Sequence, residues 1–135
     1  MFEKDYLSRQ IALLIEAILH TITKEKIKKD PILASKNIDE AISEATEIDG
    51  TILLSLAPES FASILSVSGV EEDLVEYICR SLELSASYLA EGDNTQLADI
   101  RIEQARCLAK AYDLDIDLHL ANADKSEEYF ENLSI

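Results

Sequence analysis

Breakers are scarce in this chain: three glycines and two prolines in 135 residues leave too few turns for an all-β fold and favour long, uninterrupted helices. Histidine is scarcer still. His20 and His119 stand far apart, and neither has a Cys or a second His at ligand spacing, so no metal site is expected. No glycine-rich loop follows a strand and no G-x-S-x-G turn occurs, which removes support for nucleotide binding and acyl transfer. With 27 acids, coincidental carboxylate pairs abound, and none is singled out as catalytic. The two cysteines, Cys79 and Cys107, sit beside apolar neighbours without a C-x-x-C motif and read as buried reduced thiols. A disulfide between them is the alternative, and it would need an oxidising compartment. Glu3, Lys4, Asp5 and Arg9 precede the first apolar run and Glu16 interrupts it, so neither a signal peptide nor a membrane span is expected. A cytoplasmic protein without a cofactor is the expectation.

Basic residues are also few, and they are unevenly placed. Residues 1–36 hold seven Lys/Arg against five Asp/Glu, net +2, whereas residues 37–135 hold five against 22, net −17. Such acidity argues against direct binding to nucleic acid or an anionic membrane, whose fields would repel most of the surface. A basic protein partner, self-association and no partner at all stay open.

What is present is helical periodicity. At this length one domain over 1–135 is expected, burying roughly two thirds of its unfolded-state surface. The organising stretch is Val70–Tyr112, two apolar-periodic runs around a polar turn. In the first, Leu74, Ile78, Leu82, Ser85 and Leu89 form one stripe flanked by Val75, Cys79 and Ala86. Glu71, Glu72 and Asp73 suit its N-terminal turn, and Gly92 suits a left-handed stop. Asn94 or Thr95 can cap the second helix, whose inner row is Ala98, Ile102, Ala105, Ala109 and Tyr112.

In that hairpin the run LSASYLAEGD, with Leu84, Ser85, Tyr88 and the Glu91-Gly92-Asp93 turn, resembles the end of the first helix of a tetratricopeptide repeat. Ala98, Ile102 and Ala105 then match that repeat's second helix. The match needs one extra turn residue, Ala109 or Lys110 stands where the family has its helix-ending proline, and no second copy follows at a repeat period. The resemblance, over about a third of the chain, implies a helical hairpin rather than a superhelical groove. The opening, MFEKDYLSRQIALLIEAI, is similar to the start of a bacterial family of helical proteins with no assigned activity. Met1, Phe2, Glu3, Asp5, Tyr6, Arg9 and Ile11 carry that likeness.

Phe2 to Lys29 forms the longest helical pattern, with Leu7, Ile11, Leu14, Ile15, Ile18 and Ile22 inward and Asp5, Arg9, Glu16, His20 and Thr23 opposite. A helix covering the hairpin is the preferred reading over a membrane-surface anchor, because the apolar face lacks Trp. Lys24, Lys26, Lys28 and Lys29 suit the negative helix end. Phe2, Tyr6 and Arg9 cluster on one flank as a candidate partner site; the competing reading has the aromatics tucked on the hairpin and Arg9 paired with a carboxylate. Asp30-Pro31 stops this helix, a linker is expected to Lys36, and Asn37 with Glu40 makes a capping box for a helix stopped by Gly50. Thr51–Leu56 and Pro58–Val67 read as two brief helical segments.

After Tyr112, the alternating DLDIDLHL is a strand pattern without a partner, so an irregular segment or helical turn is expected, with Leu114, Ile116 and Leu118 packing down. Asp113, Asp115 and Asp117 match the opening of a calcium loop, but Leu118 and Asp124 stand where that loop needs Gly and Glu. Asp124 and Glu127 are expected to cap a last helix through Tyr129, Phe130 and Leu133. The fold class is thus all-α, five to seven helices built on a tetratricopeptide-like hairpin. The function expected is a non-enzymatic protein–protein interaction module. The alternatives are an acidic nucleic-acid mimic that binds a DNA-binding protein, and a small helical enzyme.

Overall fold

Side-chain caps and prolines cut the chain into helices at points that the residues explain. The computed structural model describes residues 2–133, and the side chains of residues 5–133. Among the described residues there are seven helices: α1 Phe2–Lys28, α2 Pro31–Thr46, α3 Gly50–Leu53, α4 Pro58–Val67, α5 Glu72–Glu91, α6 Thr95–Ala111 and α7 Ala123–Glu131. None of them is long and apolar enough to cross a membrane.

Helix α5 is the centre. It packs against α6 on one side and α2 on another, α4 covers α6, α1 covers α2, and α7 bridges α5 and α1. Thirteen of its 20 residues are buried, including every one from Ser81 to Leu89. This is wider than the single stripe that periodicity suggests, because the serines on its other faces are buried too. Their hydroxyls are satisfied locally: Ser81 donates to the Tyr77 carbonyl (2.7 Å) and Ser87 to that of Glu83 (3.0 Å). A small side chain that bonds its own helix is tolerated against a neighbouring helix, so polar positions need not face water. The hairpin with α6 forms as expected, with Ala98, Ile102, Ala105 and Ala109 buried along the contact. Tyr112 is only half-buried; its hydroxyl donates to the Val70 carbonyl at 2.6 Å, tying the end of α6 to the entrance of α5.

Several boundaries differ from the expectation. Helix α2 starts at Pro31 with no linker before it, because Asp30 accepts the Leu33 N–H (3.2 Å) and proline at the first position has no N–H to leave unpaired. Asn37 therefore lies inside the helix. Its end is a left-handed Glu47 (φ 60°), and Gly50 opens α3 instead of closing α2. A Cβ on Gly50 would lie 2.9 Å from Ser43 Cβ, where the Ser43 hydroxyl bridges the Ile48 carbonyl and the Gly50 N–H. At the hairpin tip the left-handed residue is Asp93 (φ 65°), while Gly92 has φ −86°. Gly92 is needed for space: a Cβ there would overlap the Ile32 side chain, with Cγ1 at 2.7 Å. Gly92→Ala should consequently lower stability by about 1–3 kcal/mol through displacement of Ile32. Chemical denaturation checks this, and a stabilised variant would show that entropy outweighs the clash.

The segment after α6 is irregular, as expected, with Leu118 buried and Leu114 and Ile116 half-buried. Three side-chain bonds hold it down as a strap. Arg80 and Arg106 donate to the carbonyls of Asp117 (3.2 Å) and Leu118 (2.9 Å), and Glu83 accepts the His119 N–H (3.2 Å). The cap of α7 is Asn122, which accepts the Lys125 N–H (3.0 Å), rather than Asp124 or Glu127. Glu127 turns inward instead.

Candidate partner-binding cleft

Two clusters of polar side chains are built into the core, and neither includes the N-terminal flank. Phe2's side chain lies outside the described ones. Tyr6 is 50% exposed and donates to the Glu47 carboxylate, pinning α1 to the end of α2, and Arg9 is exposed beyond it. The hydrogen bond to Glu47 holds the Tyr6 hydroxyl above its usual range. The structure thus gives Tyr6 a helix-joining bond.

The first cluster centres on Arg101. It sits in α6 one place before the inner-row residue Ile102, and its side chain is 6% exposed. Its Nη1 donates to the Leu54 carbonyl (2.9 Å) and Gln104 Oε1 (3.1 Å), and its Nη2 to Asp39 Oδ2 (3.1 Å). Gln104 in turn donates to the carbonyls of Leu54 (3.1 Å) and Leu56 (3.0 Å). Asp39 also accepts from the Ser85 hydroxyl (3.3 Å), which shares a 2.8 Å bond with Ser35. Burial pushes the Asp39 carboxyl above its ordinary value, with Arg101 and Ser85 opposing that rise. One network therefore joins α2, α5, α6 and the α3–α4 connection, and leaves Arg101 Nε without a partner among the described residues.

Above this network opens a cleft of about 620 Å³ between α2, α3 and α6. Its walls carry Lys36, Glu40 and Glu44 from α2, Asp49 ahead of α3, and Leu97 from α6. Asp49 caps α3 by accepting from the Thr51 N–H (2.9 Å) and hydroxyl (2.7 Å), which hold its carboxyl below the usual range. Glu40 and Glu44 stay exposed on one face of α2. Sequence reasoning missed this site. The available signal was Arg101 and Gln104, polar residues three apart and beside an inner row of small residues, where a long polar side chain must find partners.

No family model, curated protein or solved structure matches this chain. The functional reading rests on chemistry at the surface, since fold alone does not carry function.

The second cluster joins α1, α5 and α7. The fully buried Tyr88 donates its hydroxyl to Glu127 Oε2 (2.7 Å), and Lys26 pairs with Glu131 (2.7 Å). Glu25 and Glu91 line the same depression, and Glu25 Oε1 is buried without a partner. Burial is the main cause that raises the carboxyls of Glu25, Glu91 and Glu127 above their ordinary range. Among the described residues, no group of three His, Cys, Asp or Glu is placed to hold a metal ion. Asp113, Asp115 and Asp117 are exposed along the strap. Millimolar calcium should leave the melting temperature where a matched salt control puts it; a specific rise lost in Asp115→Asn would reinstate a calcium loop. Both cysteines are free, and burial pushes the Cys79 thiol up to about 12, so it stays a thiol at neutral pH.

Proposed function

We propose that the protein is a non-enzymatic interaction module of the cytoplasm, a tetratricopeptide-like adaptor that binds a basic protein. The observation that carries this reading is the cleft between α2, α3 and α6, open on the surface and walled by acids. Support also comes from the use of the buried polar groups. Arg101, Asp39, Gln104 and Tyr88 are engaged in joining helices, which makes a rigid scaffold. A surface at net −17 over residues 37–135 repels itself, so a basic ligand relieves that repulsion and is steered from a distance.

Affinity capture from the native cell extract at low and high salt, with DNA as competitor, tests the reading. An adaptor should retain a partner in part at about 0.5 M salt, where the Debye length of about 4 Å screens charges but not apolar anchors. Retention that salt abolishes and DNA displaces would favour a nucleic-acid mimic instead, and capture of nothing under either condition would return the enzyme reading to first place.

A further inference from the structure

The cleft walls divide into residues that the fold uses and residues that it does not. Asp39 and Arg101 neutralise one another at 3.1 Å, and Asp49 is occupied as the cap of α3. Glu40 and Glu44 remain, four residues apart on one exposed face of α2, where like charges at that spacing repel each other. Lys36, one turn before Glu40, offsets only one of them.

Beside these carboxylates the cleft offers an aliphatic side chain. Leu97, from α6, is half-buried in the cleft wall. Acid on the α2 wall and an aliphatic side chain on the α6 wall suit a ligand with both characters. The volume of about 620 Å³ falls in the range of ~300–1,000 Å³ usual for ligand pockets, enough for a few side chains but not for a domain.

We infer that this cleft seats a basic amphipathic helix of a partner protein, with an aliphatic side chain against Leu97 and Lys or Arg opposite Glu40 and Glu44. Charge complementarity selects the occupant. The chain does hold a basic apolar segment of its own, with Ile27 77% exposed between Lys26 and Lys28. A second copy, however, brings a net charge of −15 with it, so long-range repulsion opposes self-docking, whereas a basic partner is attracted both locally and at a distance. Helix-in-groove recognition then sets affinity by the apolar anchor and orientation by the acidic rim.

This inference rests on the interaction-module reading, and the following experiment separates the two. The probe is a fluorescent synthetic helical peptide with leucine on one face and lysine on its flanks, compared with its glutamate counterpart. The full chain should bind the lysine peptide only. Glu40→Lys/Glu44→Lys should weaken binding by about tenfold or more, whereas the same charge change in the exposed strap, Asp115→Lys/Asp117→Lys, should weaken it by about twofold or less. Leu97→Ser should remove the part of the affinity that resists salt. Melting curves of each variant check that it is folded. Equal losses in both charge variants would mean diffuse attraction and overturn the cleft assignment while leaving the module reading to the capture experiment. Sedimentation showing dimers that dissociate in Ile27→Glu and exclude the peptide would give the cleft to a second copy, and would overturn it as well. A peptide seated in the cleft with no partner captured from cells would uphold the site and sink the module.

Discussion

Arg101→Ala should cost about 3 kcal/mol of unfolding free energy, a large loss for one side chain in a scaffold of this size. The guanidinium is 6% exposed and is, among the described residues, the only cation paired with Asp39, whose own side chain is 23% exposed. Removing it strips Asp39 of its counter-charge and leaves the Ser85 hydroxyl as the remaining donor, so a mostly buried carboxylate must be desolvated almost alone. The Leu54 carbonyl keeps its bond from Gln104, which limits the damage on that side. Arg101→Lys should recover little, because one ammonium cannot reach Leu54, Gln104 and Asp39 in the fork geometry that the three bonds require. In the double variant with Asp39→Ala the loss should be smaller than the sum of the single losses, as no orphaned charge remains. Acid should also reduce the loss. Burial already raises the Asp39 carboxyl; without Arg101 it rises further, so the variant regains stability once the carboxyl is protonated. Urea unfolding of the wild type and the four variants at neutral and mildly acidic pH measures all of this. A loss below about 1 kcal/mol would mean that water reaches the pair and that the network does not fix α6 to α2.

The same contrast between paired and unpaired groups explains what could be read from the residues and what could not. Helices were legible where apolar spacing and caps agree: α4 from Pro58, α6 from Asn94, and the inner row Ala98, Ile102, Ala105. They were misplaced where two start signals competed. Asp30-Pro31 and Asn37-Glu40 both fit a helix start, and the first prevails because Ala34 and Ser35 gain burial by being helical, Ser35 bonding Ser85 of α5. Gly92 was assigned a dihedral role, yet its use is steric, set by Ile32 some sixty residues earlier, and no local pattern encodes that contact. Arg101 was passed over, and Glu127 was read as a helix cap, for the same reason. Charged residues read as solvated until the fold brings a partner, here Tyr88 for one and Asp39 for the other. The cleft is made by three helices far apart in sequence, so it becomes visible only once α2, α3 and α6 are assembled.

Tyr88 is the residue on which the second cluster depends, and Tyr88→Ala should cost about 4 kcal/mol, as for other fully buried aromatics cut back to a methyl group. Tyr88→Phe separates the two components of that loss. It keeps the ring and removes only the hydroxyl that donates to Glu127 at 2.7 Å, so about 2 kcal/mol is expected from an unmet bond to a charged acceptor. The dependence on pH then identifies the acceptor. Glu25, Glu91 and Glu127 all have carboxyls raised chiefly by burial, so the folded state holds protons that the unfolded chain releases. For an acid raised on folding, stability is greatest below the ordinary carboxyl value and declines as pH climbs through the raised one; the wild-type melting temperature should therefore increase as pH falls from about 8 to about 5. The Tyr88 hydroxyl opposes the rise at Glu127 by favouring its ionised form. In Tyr88→Phe that opposition is gone, the Glu127 carboxyl moves up further, and the penalty should be largest at alkaline pH and shrink on acidification. Glu127→Gln should flatten the wild-type curve, because one of the three raised carboxyls no longer titrates. Calorimetry across that pH range distinguishes the cases. A Tyr88→Phe penalty that does not vary with pH would show that Glu127 is already protonated at neutral pH, and a melting temperature that falls steadily with acid would mean that the three carboxylates are solvated and that α7 is held by its apolar contacts alone.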